Sequence, residues 1–378
     1  MGDRLLAELG QLIRSILNPE EKVFRLGGDE FAILLPGMGE NLAVEKALTV
    51  LGKIDQPFIL EEVTLALTAS LGLVHSPKHG SDTQTLLRAD VAMYTAKRNG
   101  SGYAVYSEEQ DRNEPYRLRL MGDLRSAIEN DELRLMFQPK AELKTGQITG
   151  VEALIRWQHP KLGLIPPSDF IPIAEQIGVI NALTNWVLYQ AVRQCKLWEQ
   201  EGLDVGIAVN LSARNLQDLQ LPDRLSRVID QFGVAPEKIT LEITESFIMA
   251  DPQRARDILS IIHQMGIHLA IDDFGTGYSS LAYLKRLPVN SIKIDRSFVF
   301  DMDKDQTNEM IVKSITFLAH NLGLSVVAEG VEDHQCWDLL TSCGCDQAQG
   351  YYLQKALSAD EFKAWYLGLT KEARGMRL

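Results

Sequence analysis

Residues 269–277 read LAIDDFGTG, an apolar run followed at once by two aspartates and a glycine-rich turn. A short apolar run bounded by polar residues and glycine is typical of a strand buried in a sheet. The segment before it, Gln253–Met265, repeats apolar residues at helical spacing. A helix followed by a buried strand with a polar end predicts one unit of a mainly parallel α/β sheet.

The same unit recurs along the chain after Asp131. Strand-like runs alternate with helical segments such as Asn181–Gln200 and Thr307–Leu322. The predicted strands are Leu133–Gln138, Gly150–Arg156, Val205–Leu211, Ile239–Ile243, His268–Ile271, Ser291–Ile294 and Ser325–Ala328. A (β/α)8 barrel needs about 250 residues. We therefore predict an α/β fold, with a TIM-type barrel over residues 119–378, a linker over 109–118 and a smaller domain over 1–108.

The composition limits the classes of partner. The 38 Lys and Arg residues against 51 Asp and Glu give a net charge of -13, so the chain offers no basic surface for a DNA or RNA polymer. Four cysteines form no disulfide framework, and we expect reduced, buried thiols. No apolar segment is long enough for a signal peptide or a membrane span. We expect a cytoplasmic protein whose surplus of carboxylates suits divalent cations as well as solvent.

Polar side chains recur where the predicted strands end. These acidic, amide and lysine residues are Glu152, Asn210, Glu242, Asp272, Asp273, Lys293 and Glu329. In a barrel the carboxyl ends of the strands converge on one face, where active sites lie. Carboxylates brought together there repel one another unless cations neutralise them, and oxygen ligands favour Mg²⁺ or Mn²⁺.

The adjacent pair Asp272 and Asp273 predicts a bridge between two such ions, an arrangement that assists phosphoryl transfer. Lys293 would orient a water molecule or neutralise developing charge. Each of these residues alone has an ordinary explanation, as a solvated carboxylate, a helix cap or an exposed lysine. Their recurrence at successive strand ends favours a functional site.

The second half of the chain resembles the EAL domain, a bacterial phosphodiesterase family that linearises cyclic di-GMP. The name-giving tripeptide is residues 152–154, followed by Arg156 and Trp157, and the resemblance runs from about Arg119 to the C-terminus. It implies two Mg²⁺ or Mn²⁺ ions, held by Glu152, Asn210, Glu242, Asp272, Asp273 and Glu329. Lys293 would hold the catalytic water, and Glu245 would shape the loop from Asp272 to Tyr278. The implied substrate contacts are Gln138, Leu154, Arg156 and Gln349.

The first half has short strands at Lys22–Leu26 and Phe31–Leu35 around a glycine turn. It resembles the GGDEF domain, the diguanylate cyclase family, whose signature stands here as Gly27, Gly28, Asp29, Glu30 and Phe31. The resemblance implies a partial α+β cyclase-like domain, because the family's central first strand would precede Gly2. The strands near Lys22 and Tyr103 would therefore lack a neighbour.

Two further departures concern nucleotide binding in this half. Residues 18–21 read NPEE in place of the family's product-inhibition motif, and Ser101 stands where the family has a phosphate-contacting arginine. We therefore expect the GGDEF half to be regulatory and not catalytic.

Three functions follow from the two resemblances. The leading hypothesis is a metal-dependent phosphodiesterase that hydrolyses cyclic di-GMP to linear pGpG. The alternatives are a receptor that binds cyclic di-GMP without cutting it, and a bifunctional cyclase–phosphodiesterase. A variant of the bifunctional hypothesis is that GTP binds at residues 27–31 without being converted and stimulates the phosphodiesterase. The EAL resemblance also implies a homodimer through the barrel.

Overall fold

The computed structural model describes residues 2–27, 30–56, 58–60, 63–65, 67–79, 85–212, 214–245, 252–276 and 284–375. The chain forms two compact units, Met1–Arg119 and Leu120–Leu378. The helix Glu108–Glu129 runs through the predicted linker, so residues 109–118 are helical and the helix begins before its predicted start at Arg117. The domain boundaries of 1–108 and 119–378 stay a prediction. None of the helices in the described ranges has both the length and the apolar character of a membrane span.

The first unit contains three separate pairs of short strands. The strands are β1 (Lys22–Gly27), β2 (Glu30–Leu34), β3 (Phe58–Leu60), β4 (Val63–Leu65), β5 (Leu71–Leu73) and β6 (Tyr103–Val105), and the helices are Gly2–Ile16, Glu40–Ile54 and Thr85–Asn99. The β1–β2 and β3–β4 pairs are antiparallel, whereas β5 and β6 are parallel. Within the described part of this unit no strand joins the pairs into one sheet. Among the described strands, β1 near Lys22 pairs with β2 and β6 near Tyr103 pairs with β5.

The second unit is built from strands that alternate with helices. The strands are β7 (Leu133–Glu142), β8 (Ile148–His159), β9 (Gly163–Ile165), β10 (Gly206–Leu211), β11 (Ile239–Thr244), β12 (His268–Phe274), β13 (Ser291–Ile294), β14 (Ser325–Ala328) and β15 (Gln347–Gln349). The helices are Pro167–Gln176, Ile180–Gln200, Leu221–Phe232, Pro252–Gln264, Arg296–Val299, Gln306–Asn321, His334–Ser342 and Ala359–Gly375, with short 3₁₀ turns at Asn215–Gln217 and Pro236–Lys238. This alternation confirms the predicted α/β class.

Eight of the described strands close a barrel, in the order β8-β10-β11-β12-β13-β14-β15-β7 and back to β8. Neighbours from β8 through β10 to β15 are parallel, which confirms the predicted barrel. The first strand is a departure from the uniform parallel pattern, because β7 runs antiparallel to both β8 and β15. Gly146 has a φ of 69° in the tight turn between β7 and β8, a conformation that glycine adopts without strain.

Alternation along the barrel strands separates two environments. Leu241 and Ile243 on β11 belong to the continuous apolar core of the unit, whereas Glu242 between them faces the opposite side. On β12, Leu269 and Ile271 join the same core, and Asp272 follows on the other face. The helices therefore cover the apolar face, and the interior of the barrel receives the polar residues.

All four cysteines are free and buried, as the sequence predicted. Burial raises the pKa of the Cys345 thiol to about 12 and that of Cys195 to about 11. Both thiols are therefore neutral core groups at physiological pH.

Candidate active site

The strand register brings the predicted acidic residues to one end of the barrel. Asn210 on β10 pairs with Glu242 on β11, and Glu242 is the register partner of Ala270, two residues before Asp272. The sequence analysis placed Glu152 at the end of a strand, and this position is wrong. Glu152 lies within β8, which continues to His159. Glu152, Glu242, Asp272, Asp273 and Glu329 are called the carboxylate cluster below.

Lys293 lies at the centre of this cluster and is only 1% exposed. Its Nζ lies 2.7 Å from Oε2 of Glu242 and 2.7 Å from Oε1 of Glu329. The same atom lies 3.1 Å from Oδ1 of Asp272 and 3.6 Å from Oε2 of Glu152. One buried ammonium group therefore compensates four carboxylates that come from four different strands or strand ends.

The charges of the cluster depend on burial and on two lysines. Burial raises the pKa of Glu329 to about 8 and that of Asp273 to about 6. Burial opposes the charge of Glu242 as well, but Lys293 and Lys140 outweigh it and lower the pKa of that carboxyl to about 2. Without a cation Glu329 therefore retains a proton at neutral pH, and a bound metal ion would displace it.

Three members of the cluster are arranged as a divalent cation requires. One carboxylate oxygen from each of Asp272, Asp273 and Glu329 lies within 4.8 Å of the other two. Asp273 has a φ of 53°, and its backbone N–H donates to Oδ1 of Asp272 at 3.0 Å. Oxygen donors of this kind suit Mg²⁺ or Mn²⁺ better than zinc. The residues present therefore fit a divalent metal site.

Amide side chains connect the cluster to the predicted substrate contacts. Nδ2 of Asn210 donates to Oε1 of Glu152 at 2.6 Å, and Nε2 of Gln349 donates to Oε2 of the same carboxylate at 2.6 Å. Nε2 of Gln349 also lies 3.0 Å from Oε1 of Gln138. Leu154 and Arg156 follow Glu152 at alternate positions of β8 and share its face. Leu154 and Arg156 thus share β8 with Glu152, whereas Gln138 lies on the neighbouring strand β7 and Gln349 on β15.

Glu245 is buried just after β11. Its Oε2 accepts a hydrogen bond from the backbone N–H of Gly275 at 3.0 Å. Its Oε1 has no hydrogen-bond partner in the described part of the chain. The contact ties Glu245 to the segment that follows Asp273, but Gly277 and Tyr278 of that loop lie outside the described residues.

Lys140 is a buried site residue that the sequence analysis missed. It lies on β7, two residues after Gln138, and its Nζ lies 3.2 Å from Oε1 of Glu242. The signal available in the sequence was its position on the same strand face as Gln138. That position indicates a site residue only once the place of β7 in the barrel is known.

The GGDEF signature falls at the β1–β2 hairpin of the first unit. Gly27 ends β1 and Glu30 and Phe31 begin β2, whereas Gly28 and Asp29 lie outside the described residues. Before the hairpin, buried Glu21 accepts hydrogen bonds from the backbone and side chain of Asn18, and it lies 3.0 Å from Nζ of Lys46. The segment that replaces the product-inhibition motif is therefore engaged in internal contacts.

Comparison with known proteins agrees with this geometry. The family model described as EAL domain matches residues 121–356. A solved structure titled "PaMucR Phosphodiesterase, c-di-GMP complex" is 43% identical, with a TM-score of 0.63, and the match covers 65% of this chain and 99% of that one. The chain belongs to the EAL domain family. A second model, described as diguanylate cyclase, GGDEF domain, matches residues 1–102.

Two curated relatives match nearly the whole chain, across both of its units. The bifunctional diguanylate cyclase/cyclic di-GMP phosphodiesterase MucR of Pseudomonas aeruginosa is 39% identical over 96% of this chain and 54% of its own length. The cyclic di-GMP phosphodiesterase PdeR of Escherichia coli is 37% identical over 98% of this chain and 56% of its own length. The chain thus spans about half the length of these relatives. EAL phosphodiesterases as a family depend on a divalent metal ion, in agreement with the carboxylate cluster.

Proposed function

We propose that the barrel unit is a phosphodiesterase that hydrolyses cyclic di-GMP to linear pGpG in bacterial second-messenger signalling. The observation that carries the proposal is the convergence of four carboxylates on the buried Lys293, with Asp273 beside two of them, inside the barrel of an EAL-family chain. The names of the relatives and the cyclic di-GMP complex of a similar barrel support the choice of substrate.

The proposal includes two divalent ions, Mg²⁺ or Mn²⁺. Their ligands would be Glu152, Asn210, Glu242, Asp272, Asp273 and Glu329. Adjacent Asp272 and Asp273 would serve both ions, and the proximity of one oxygen from each to an oxygen of Glu329 supports one of the two positions. The bound ions would supply Lewis-acid stabilisation of the phosphodiester and lower the pKa of a nearby water.

Hydrolysis joins the oxygen of one water molecule to phosphorus and breaks the bond from phosphorus to the 3′-oxygen, which leaves as a hydroxyl. Lys293 would hold the attacking water through its ammonium group, because that group already faces Glu242, Glu329 and the other carboxylates. Glu245 would keep the segment after Asp273 in the shape that the ligands need, through its bond to Gly275.

The substrate would be held by residues on the neighbouring strands. Arg156 has a guanidinium group whose paired donors suit a phosphate. Gln138 and Gln349 offer amides that are already linked to each other and to Glu152. Leu154 would offer an apolar contact to the dinucleotide.

Exchange of the ligands for alanine tests this assignment. Glu152→Ala and Asp272→Ala should each abolish formation of pGpG, measured by chromatography after incubation with cyclic di-GMP and Mn²⁺. Glu309→Ala, which changes a partly exposed carboxylate on the helix Gln306–Asn321, should retain full activity. Full activity in either ligand variant would refute the site. Tight binding of uncut cyclic di-GMP by the unchanged protein would favour the receptor alternative.

For the first unit we propose a regulatory role. The internal contacts of Glu21 and the serine at position 101 support this over a second catalytic centre. GTP binding at residues 27–31 would then appear as a changed rate of cyclic di-GMP hydrolysis on GTP titration, and formation of cyclic di-GMP from GTP would instead favour the bifunctional alternative. We also propose that the protein is cytoplasmic and that it forms a homodimer through the barrel. Light scattering tests the dimer by its molar mass.

A further inference from the structure

The strand register places Lys140 in a layer of the barrel where two neighbouring strands carry glycine. Lys140 pairs with Gly150 on β8, and Gly150 pairs in turn with Gly206 on β10. Two glycines next to each other leave the interior of this layer without side chains from β8 and β10. The lysine can therefore cross the interior from β7 and reach Glu242 on β11.

The contacts of Lys140 differ from those of Lys293. Lys140 is 8% exposed, and across the described ranges its ion pair is with Glu242, at 3.2 Å from Oε1. Lys293 binds the other oxygen of the same carboxylate, at 2.7 Å from Oε2, and also contacts three further members of the carboxylate cluster. Each oxygen of Glu242 is thus held by a different buried lysine.

This division has a consequence for a cation that enters the cluster. Lys293 contacts four candidate ligands, so an incoming ion competes with it for the same oxygens. The ion pair of Lys140 among the described residues is with Oε1 of Glu242, so it can keep this hydrogen bond while Oε2 turns to a metal ion. Metal-binding carboxylates commonly have such a second hydrogen-bond partner, which fixes their orientation.

We propose that Lys140 is a positioning residue that holds Oε1 of Glu242 so that Oε2 is available to a divalent cation. The proposal rests on the proposed function for the identity of the reaction, but the role of Lys140 concerns metal binding alone. A lysine that only filled the barrel would leave metal affinity unchanged when replaced by an apolar side chain. A lysine that only competed with the metal for charge would strengthen metal binding when removed.

The test is calorimetric titration of Mn²⁺ into the full chain without nucleotide, alongside hydrolysis of cyclic di-GMP at varied Mn²⁺. Lys140→Met keeps the volume and removes the charge, and should raise the Kd for Mn²⁺ by about 10- to 100-fold. At saturating Mn²⁺ its kcat should return to within a few-fold of the unchanged chain. Lys140→Arg restores a charged donor and should bind Mn²⁺ much more tightly than Lys140→Met.

Lys238→Met is the matched control, because Lys238 is a partly buried lysine of the same unit whose ion pairs are with Glu199 and Asp204. Its Kd for Mn²⁺ should not change. An unchanged or tighter Kd in a folded Lys140→Met protein would overturn the proposal. A Lys140→Arg protein that binds Mn²⁺ no more tightly than Lys140→Met would overturn it as well. Normal Mn²⁺ binding without hydrolysis in the unchanged chain would contradict the proposed function and leave the Lys140 test decisive. Absence of Mn²⁺ binding in the unchanged chain would overturn both.

Discussion

Replacement of Lys293 by methionine removes the positive charge from the carboxylate cluster and keeps most of the side-chain volume. The lysine is 1% exposed, and its Nζ lies within 3.1 Å of oxygens from Glu242, Asp272 and Glu329. After the exchange, and without metal ions, at least one of these carboxyls must take up a proton or stay charged beside its neighbours.

The loss of stability depends on whether a carboxyl takes up a proton or stays charged. A carboxyl with an ordinary pKa near 4.5 is protonated at pH 7 at a cost of about 3.4 kcal/mol, since each pH unit is worth about 1.36 kcal/mol. Loss of one partner from a buried ion pair destabilises proteins by about 3–5 kcal/mol. We therefore expect Lys293→Met to lose about 3–5 kcal/mol of unfolding free energy without metal. Saturating Mn²⁺ should recover most of this loss, because the ion supplies the missing positive charge.

Urea unfolding followed by tryptophan fluorescence measures this loss in the full chain, because all five tryptophans lie in the barrel unit, at positions 157, 186, 198, 337 and 365. The control is Lys313→Met, which removes a half-exposed lysine paired with Glu309. It should leave the midpoint unchanged with or without Mn²⁺. A loss under about 1 kcal/mol for Lys293→Met, or a loss that Mn²⁺ does not reduce, would refute the reasoning.

Two more predictions concern pH and the first unit. The raised pKa values of Glu329, about 8, and Asp273, about 6, stabilise the cation-free protein at acid pH, and this contribution is lost as the pH rises through those values. Because a bound cation displaces these protons, the affinity for Mn²⁺ should rise between pH 6 and 8, by up to about tenfold per pH unit for each proton released. A Kd that calorimetry finds constant over this pH range would contradict the prediction. Gly72→Ala would place a Cβ 1.9 Å from the carbonyl oxygen of Ala89, so it should destabilise the first unit by at least about 1–3 kcal/mol in circular dichroism melting. The tryptophan transition of the barrel should persist, and its loss would show that the barrel depends on the first unit.

Local sequence was sufficient for the parts of the fold that local patterns determine. The apolar runs of the barrel strands and the acidic residues beside them led to Glu242, Asp272 and Lys293, because alternation within one strand separates core from site. The helix at Glu108–Glu129 was placed too late because its first turns are charged and contain Pro115, which resemble a linker in sequence.

The contacts that depend on strand order could not be predicted in the same way. Lys140 and Glu242 are 102 positions apart and meet only because β7 closes the barrel in the antiparallel direction. Nothing near Lys140 in the sequence indicates that direction. The central position of Lys293 among four carboxylates likewise depends on the register of four strands, although its presence at the site was predicted.

The most direct test is incubation of the purified chain with cyclic di-GMP and Mn²⁺, followed by chromatographic separation of the nucleotides. We predict that pGpG accumulates, that a chelator stops its formation, and that added Mn²⁺ restores it. Cyclic di-GMP that stays intact while the chain binds Mn²⁺ would contradict the claim that this carboxylate cluster cuts a phosphodiester.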